Sequence, residues 1–292
     1  MKYHYSTILI VYNPNSTTGK SKQKAERLAA ELRKAIPNPR LRLRPSKRPG
    51  HAEALTYRTA LISRHALVIS VSGDGGYHEV VNGAMRAKRV GRSVTVGLVP
   101  AGNANDQYAN RHRGNVVKRI AEGDEDRVDL IQIRARRMTR YGHSYIGIGI
   151  TPQASEKLNA RKLNPWEEIK IISNVLIHLT SVKIIVDGDL RHYNSLIFSN
   201  VRRMSKVIRV PRHKGDDGKI EVSHIYHRNK LKLISSLAHA ALFGLEADER
   251  VSSFDFRTIK QTAMQIDGEI VEVGAHTNVH IKVIPHVIGV IM

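Results

Sequence analysis

The sequence predicts an α/β plus β architecture: a doubly wound N-terminal α/β domain over residues 1–127, then a mostly antiparallel β-sandwich-like domain over 128–283. The tail, about 284–292, is expected to return to the first domain. Two observations lead there. Up to roughly Arg127, apolar β-branched runs alternate with segments of helical apolar spacing, the rhythm of a parallel sheet covered on both faces. Beyond Arg127, short β-rich runs separated by turn residues take over. With 292 residues, 41% of them hydrophobic, both domains can bury proper cores.

Thr7-Ile8-Leu9-Ile10-Val11-Tyr12 reads as a buried strand that ends in the turn formers Asn13–Ser16. Ala25, Leu28, Ala29, Leu32 and Ile36 recur at helical spacing until Pro37 stops the helix. Leu41–Arg44 is a short alternating strand, and a helix follows from about His51 to Ser63. The central stretch is Val68-Ile69-Ser70-Val71-Ser72 running into Gly73-Asp74-Gly75-Gly76 and then a helix through Met85. Val94–Val99 is the next strand, closed by the small-residue loop Pro100-Ala101-Gly102-Asn103-Ala104-Asn105-Asp106. In the second half, strands are expected at Val128–Arg134, Ser144–Ile150, Ser181–Val186, Ser195–Ser199, Lys219–Ile225, Arg257–Gln265 and Thr277–Val283. Helices are expected near Trp166–Leu179 and Leu231–Phe243; Trp166, Ile169, Ile171 and Ile172 would form either packed core or a lipid-facing edge.

The loops after the first four strands fall on one edge of the predicted sheet, where ligands of such sheets bind. The Gly73–Gly76 turn lets a ligand approach the main chain, and the free N–H groups of a helix start attract anions, so this turn is built for phosphate. Asp74 inside it would repel phosphate unless a divalent cation stands between them. Gly19-Lys20-Ser21 is not a Walker P-loop, because Pro14 occupies the place of its leading glycine.

A formal net charge of +21 predicts attraction to polyanions such as anionic lipid or phosphorylated substrates. The basic residues are spread without aromatic interleaving or a helix-turn-helix or zinc-finger pattern, so no dedicated nucleic-acid partner is expected. The absence of cysteine excludes disulfides and thiolate metal sites, and the fifteen histidines lack zinc-ligand spacing. The N-terminal apolar run is too short for a signal peptide, and no stretch approaches the roughly 18 apolar residues of a membrane span.

Several motifs also have plain structural readings. Glu79 would favour its own helix start, Asn82-Gly83 would mark close packing, and Asp216-Asp217-Gly218 and Asp267-Gly268-Glu269 would be turns between strands.

Taken in order, Asn13-Pro14, Ser72-Gly73-Asp74-Gly75, Glu79-Val80-Val81-Asn82-Gly83, Pro100–Asp106, Asp216-Asp217-Gly218 and Asp267-Gly268-Glu269 resemble the diacylglycerol kinase catalytic family, which includes bacterial lipid kinases and sphingosine and ceramide kinases. The resemblance implies an ATP- and magnesium-dependent lipid kinase, cytoplasmic and peripherally membrane-associated, acting on a lipid at an anionic membrane surface; it leaves a homodimer open. It implies that Glu269 is the general base and Asp74 the catalytic or magnesium-linked acid. It places Asn13, Ser46, Ser72, Gly73, Asp74, Gly75, Gly76, Tyr77, His78, Gly102 and Asn103 around the nucleotide. Asp217, with backbone carbonyls of Lys214 and Lys219, matches a structural magnesium site. The family usually has threonine at Gly76 and threonine or serine at Asn103, so two phosphate-binding hydroxyls are missing here. The alternatives are a nucleotide- or polyanion-binding protein that kept the fold and lost the chemistry, and a kinase of a soluble acceptor resembling the NAD kinases.

Overall fold

The computed structural model describes residues 4–16, 19–102, 105–149, 181–204, 208–210, 215–226 and 244–292. The helices expected near Trp166–Leu179 and Leu231–Phe243 lie outside the described residues, as do Asn103 and Lys214. The chain divides into two compact units, Met1–Val128 with His286–Met292, and Asp129–Pro285.

The first unit runs β1 (Thr7–Tyr12), α1 (Ser21–Ala35), β2 (Leu41–Pro45), α2 (His51–Ile62), β3 (Ala66–Ser72), α3 (Asp74–Lys88), β4 (Val94–Pro100), α4 (Asp106–Arg111) and α5 (Val116–Glu122). The strands stand in the order β2-β1-β3-β4, all parallel, and the chain's Gly289–Ile291 pairs parallel with Thr95–Gly97 on the far side of β4. Alternation along each strand divides the side chains between two faces. Ile8, Ile10, Leu67, Ile69 and Val71 share one core with Ala25, Leu28, Ala29 and Leu32 of α1 and Ile120 of α5. The intervening Leu9, Val11 and Val68 are equally buried and point the other way, toward the side that α2 and α3 cover. Each fully buried Leu or Ile contributes about 1.5–3 kcal/mol, so a two-faced sheet of such residues is what makes this unit stable.

Helices α2 and α3 pack closely because Gly83 has no side chain: a Cβ there would lie 2.5 Å from the Glu53 carbonyl oxygen and 2.7 Å from Thr56 Cβ. Helix α3 begins earlier than its sequence suggests. Asp74, Gly75 and Gly76, expected as loop, form its first turn, with Gly73 as the N-cap in extended conformation. The short helices α4 and α5 were not anticipated. In α5 the Asn115 side chain accepts the Lys118 N–H at 3.1 Å, and Gly123 ends the helix in the left-handed region.

The second unit contains β5 (Asp126–Ala135, entering from the first unit), β6 (Met138–Gly142), β7 (Tyr145–Gly149), β8 (Val182–Val186), β9 (Asp189–Ser199), β10 (Arg203–Met204), β11 (Ile208–Arg209), β12 (Ile220–Tyr226), β13 (Glu249–Val251), β14 (Ser253–Thr258), β15 (Thr262–Ile266), β16 (Glu269–Val273) and β17 (Asn278–Ile291, which carries the chain back to the first unit). Its path is β16-β15-β7-β9-β8-β14-β17, with β12 joined to β9 and β13, and β6 joined to β5. These pairs are antiparallel, as expected. Ile131, Ile146, Phe198, Val222, Met264, Ile266 and Ile281 belong to one apolar core.

The expected single strand Arg257–Gln265 is two strands. Arg257 and Thr258 pair with β8, whereas Met264–Ile266 pair with β7, and the chain breaks between Thr258 and Thr262 to change partners. Strands β6, β13 and β16 were not foreseen, because charged or turn-like residues interrupt their short patterns. Tight turns join Val186 to Asp189 through Asp187 and Gly188 (φ 52° and 88°), and Ile266 to Glu269 through Asp267 and Gly268 (φ 50° and 96°). Two successive left-handed residues match the right-handed twist of a hairpin, and Asp-Gly supplies them at least cost.

Candidate active site

In the first unit the expected nucleotide residues gather on the edge where β1, β2, β3 and β4 end. The Asn13 N–H reaches the Val71 carbonyl at 3.4 Å, and the Asn13 carbonyl accepts the Ser21 hydroxyl at the start of α1. The Asn13 side chain accepts the Asn15 N–H at 3.0 Å, which shapes the turn after β1. From the end of β2, the Ser46 N–H donates to the Tyr12 carbonyl at 2.8 Å. From the end of β4, the Ala101 N–H donates to the Ser72 carbonyl at 2.8 Å. Main-chain bonds between neighbouring strand ends therefore place Asn13, Ser46, Ser72 and Gly102 along one ledge.

The two glycine loops of this ledge touch backbone to backbone. A Cβ on Gly102 would fall 2.3 Å from Gly73 Cα, and one on Gly73 would fall 3.1 Å from Gly102 Cα. No side chain fits at that contact. Asn105 then fixes the second loop locally: its Oδ1 accepts the Gly102 N–H at 3.0 Å and its Nδ2 donates to the Gly102 carbonyl at 2.9 Å.

Asp74, in the first turn of α3, accepts the Asp106 and Gln107 N–H groups at 3.2 and 3.4 Å. The carboxylate thus sits over the start of α4, where helix N–H groups lack intrahelical partners. The N-cap of α3, Gly73, has no side chain with which to cap the helix. Gly73, Gly75 and Gly76 are half-buried there, whereas Ser72, Tyr77 and His78 are buried. The side chains of these last three are turned inward. His78 is held against Asn82, whose Nδ2 donates to the His78 carbonyl at 2.9 Å.

The missing hydroxyl at Gly76 has a local explanation. A Cβ at Gly76 would lie 2.5 Å from Ser72 Oγ and 2.7 Å from Ser72 Cβ. Ser72 Oγ shares a hydrogen bond with Ser70 Oγ at 2.7 Å and donates to the Gly73 carbonyl at 2.9 Å. One hydroxyl has filled the space that a larger residue at 76 would need. Glu79 also serves a different end from the one expected. Its carboxylate accepts the Gly50 and Ala52 N–H groups at 2.8 and 2.9 Å, capping the neighbouring α2 and not α3.

In the second unit, Glu269 opens β16 directly after the Asp267-Gly268 turn and is exposed. The turn is fastened by Asp267 itself, expected only as a turn residue. Asp267 is 2% exposed, and its carboxylate accepts the N–H groups of His143, Ser144 and Tyr145 at 2.7, 2.8 and 3.2 Å. His143 Nε2 lies 3.5 Å from the same carboxylate. Three backbone donors and an adjacent imidazole satisfy a charge that would otherwise be costly to bury.

Of the residues implied for a structural magnesium, Lys214 lies outside the described residues, and the Asp217 carboxylate is taken up by the chain itself. Asp217 Oδ2 bonds Arg250 Nη2, and its Oδ1 accepts the Lys219 N–H at 3.2 Å. Arg250 Nε bonds Glu221 Oε1 at 3.1 Å. Partial burial works to lower the Arg250 pKa, but the bonds to Asp217 and Glu221 outweigh it and hold the guanidinium above its ordinary value. Asp217 faces a fixed positive charge. Among the described residues no cluster of three or more His, Asp or Glu side chains could hold a metal.

Comparisons with known proteins agree with the sequence resemblance. Residues 7–133 match the family model of the diacylglycerol kinase catalytic domain. The solved structure of a diacylglycerol kinase from Bacillus anthracis str. Sterne aligns with 100% of this chain and 98% of its own, at TM-score 0.71 and 18% identity. Another structure from that strain, whose diacylglycerol kinase assignment is provisional, aligns over 100% of this chain and 99% of its own, at TM-score 0.72 and 19% identity. No curated protein sequence matches the chain. The matched segment covers β1 through most of β5, including the glycine ledge, while the structural likeness extends over both units. Residues 7–133 are therefore similar to the diacylglycerol kinase catalytic domain, and the whole chain has the mixed α/β fold of those bacterial proteins.

Proposed function

We propose that this chain is an ATP-dependent lipid kinase that transfers the γ-phosphate to a lipid hydroxyl, of diacylglycerol or a sphingoid-type acceptor, at an anionic membrane surface. The observation that carries the reading is the ledge at the ends of β1–β4. Two glycine loops touch there, and α3 starts on Gly73, which brings no capping side chain of its own, in keeping with a phosphate cradle. Asn13, Ser46 and the main chain of Ser72–His78 and Gly102 would hold the nucleotide. Asp74 offers the hard carboxylate oxygens that magnesium favours, and magnesium carried by ATP would supply charge neutralisation at the transferring phosphate. Glu269 would orient the acceptor hydroxyl and take its proton.

The net charge of +21 supports attraction to anionic lipid. Among the described residues, no helix is long and apolar enough to cross a membrane. A second reading, a nucleotide- or polyanion-binding protein with weakened chemistry, is favoured by one feature: the Asp74 carboxylate is engaged by α4, and no hydroxyl stands at position 76.

The test is phosphate transfer from labelled ATP to a panel of diacylglycerol, sphingosine and ceramide in mixed micelles, with NAD and sugar phosphates as soluble controls. Glu269→Gln is expected to lower transfer by about 10³-fold without moving the melting temperature. Undiminished transfer by that variant removes Glu269 as the base. Phosphorylation confined to the soluble controls overturns the lipid reading.

A further inference from the structure

The loop Gly215–Lys219 carries a cation of its own. Arg250 lies on β13 directly opposite Glu221 of β12 in the antiparallel register, so the ladder itself brings the guanidinium to this place. One side of the guanidinium takes Asp217 in the loop; the other takes Glu221, which is 1% exposed. The remaining loop bonds are made by the chain as well. The Gly218 N–H donates to Asp129 Oδ2 at 2.7 Å, and Asp216 Oδ1 accepts the Asp129 N–H at 2.8 Å. A metal ion in such a loop would supply positive charge that joins carboxylates from separate segments. Here an arginine does that, and a divalent ion brought to Asp217 would meet a like charge at contact range.

We infer that Arg250 is the resident cation of this loop, standing where the resemblance implies a structural magnesium, and that the second unit keeps its fold without a bound divalent ion. The inference is independent of the kinase reading and does not concern magnesium that arrives with ATP.

Thermal melting of the full chain, without nucleotide and at matched ionic strength, tests it. The wild-type midpoint is expected to agree within about 1 °C between EDTA and about 10 mM MgCl2. Arg250→Met, which keeps an apolar stem of similar length, is expected to melt about 5 °C lower in EDTA and in MgCl2 alike. A wild-type midpoint that rises more than about 3 °C with MgCl2, in a manner that Asp217→Asn abolishes, overturns the inference. So does an Arg250→Met variant that melts with the wild type in EDTA. If Arg250→Met fails to fold, the wild-type and Asp217→Asn measurements still decide the question.

Discussion

Asp74, in the first turn of α3, and Asp267, in the hairpin turn before β16, are each followed by glycine and each collect main-chain N–H groups on the carboxylate, yet the two places divide anchoring from the proposed chemistry differently. Asp267 is buried and holds three N–H groups from 2.7 to 3.2 Å, and Glu269 two residues on is exposed. Asp74 is half-buried and holds two N–H groups at 3.2 and 3.4 Å. In the second unit the anchor and the proposed base are separate residues. In the first, the carboxylate that holds α4 in place is also the one proposed to serve the phosphates. Mutating an anchor alone should therefore cost stability in the second unit, whereas any change at Asp74 mixes the two effects.

The largest expected effect follows from removing the buried anchor. Asp267→Ala strands three buried N–H groups beside His143, and each unsatisfied group costs about 1–3 kcal/mol, so a loss of about 4 kcal/mol is expected after local relaxation. Asp267→Asn should lose about half as much, since asparagine tolerates the left-handed conformation (φ 50°) and keeps one carbonyl acceptor. Urea denaturation measures both. Equal losses for Ala and Asn would mean that the carboxylate's three bonds are not what holds the turn.

A smaller effect concerns how the phosphate loop is filled. Gly76→Thr must push its Cβ into Ser72, at a cost of about 2 kcal/mol, and Ser72→Gly should relieve much of it by removing the side chain in the way. The double variant is expected to be about 1 kcal/mol more stable than the sum of the single changes predicts. Additive losses would show that the hydroxyl of Ser72 and the bare Cα of Gly76 are unrelated.

How much of this was legible in the sequence depended on whether the information was local. β1 was expected at Thr7–Tyr12 and is found there, because an uninterrupted apolar run needs no distant partner to be recognised. The strand at 257–265 was not, because its break is dictated by a change of partner from β8 to β7, which lie far away in the chain. Gly73, Gly75 and Gly102 could be singled out by type and spacing, but the contact between Gly73 and Gly102 joins separate loops and has no local signature. Arg250 and Asp267 illustrate the same limit. An isolated arginine in Glu249-Arg250-Val251 carries no signal until the β12–β13 ladder sets it beside Glu221. Asp267 reads as an ordinary turn residue until its carboxylate is seen beneath three N–H groups of the segment that opens β7.

The smallest expected effect tests whether borrowed caps behave alike in both turns' surroundings. Glu79 lies in the body of α3 but caps α2, accepting the Gly50 and Ala52 N–H groups, and Gly50 itself offers no side chain for the purpose. Glu79→Gln keeps one acceptor oxygen and removes the charge that favours a helix N-terminus, so a loss of about 1 kcal/mol is expected. Because α2 packs on α3 at Gly83, a frayed α2 start would also loosen the helix whose own N-terminus is proposed to bind phosphate. Amide exchange should therefore speed up at Gly50–Ala54 first and at the start of α3 second. Faster exchange at α3 alone would show that Glu79 acts on its own helix, as its position in the sequence first suggests.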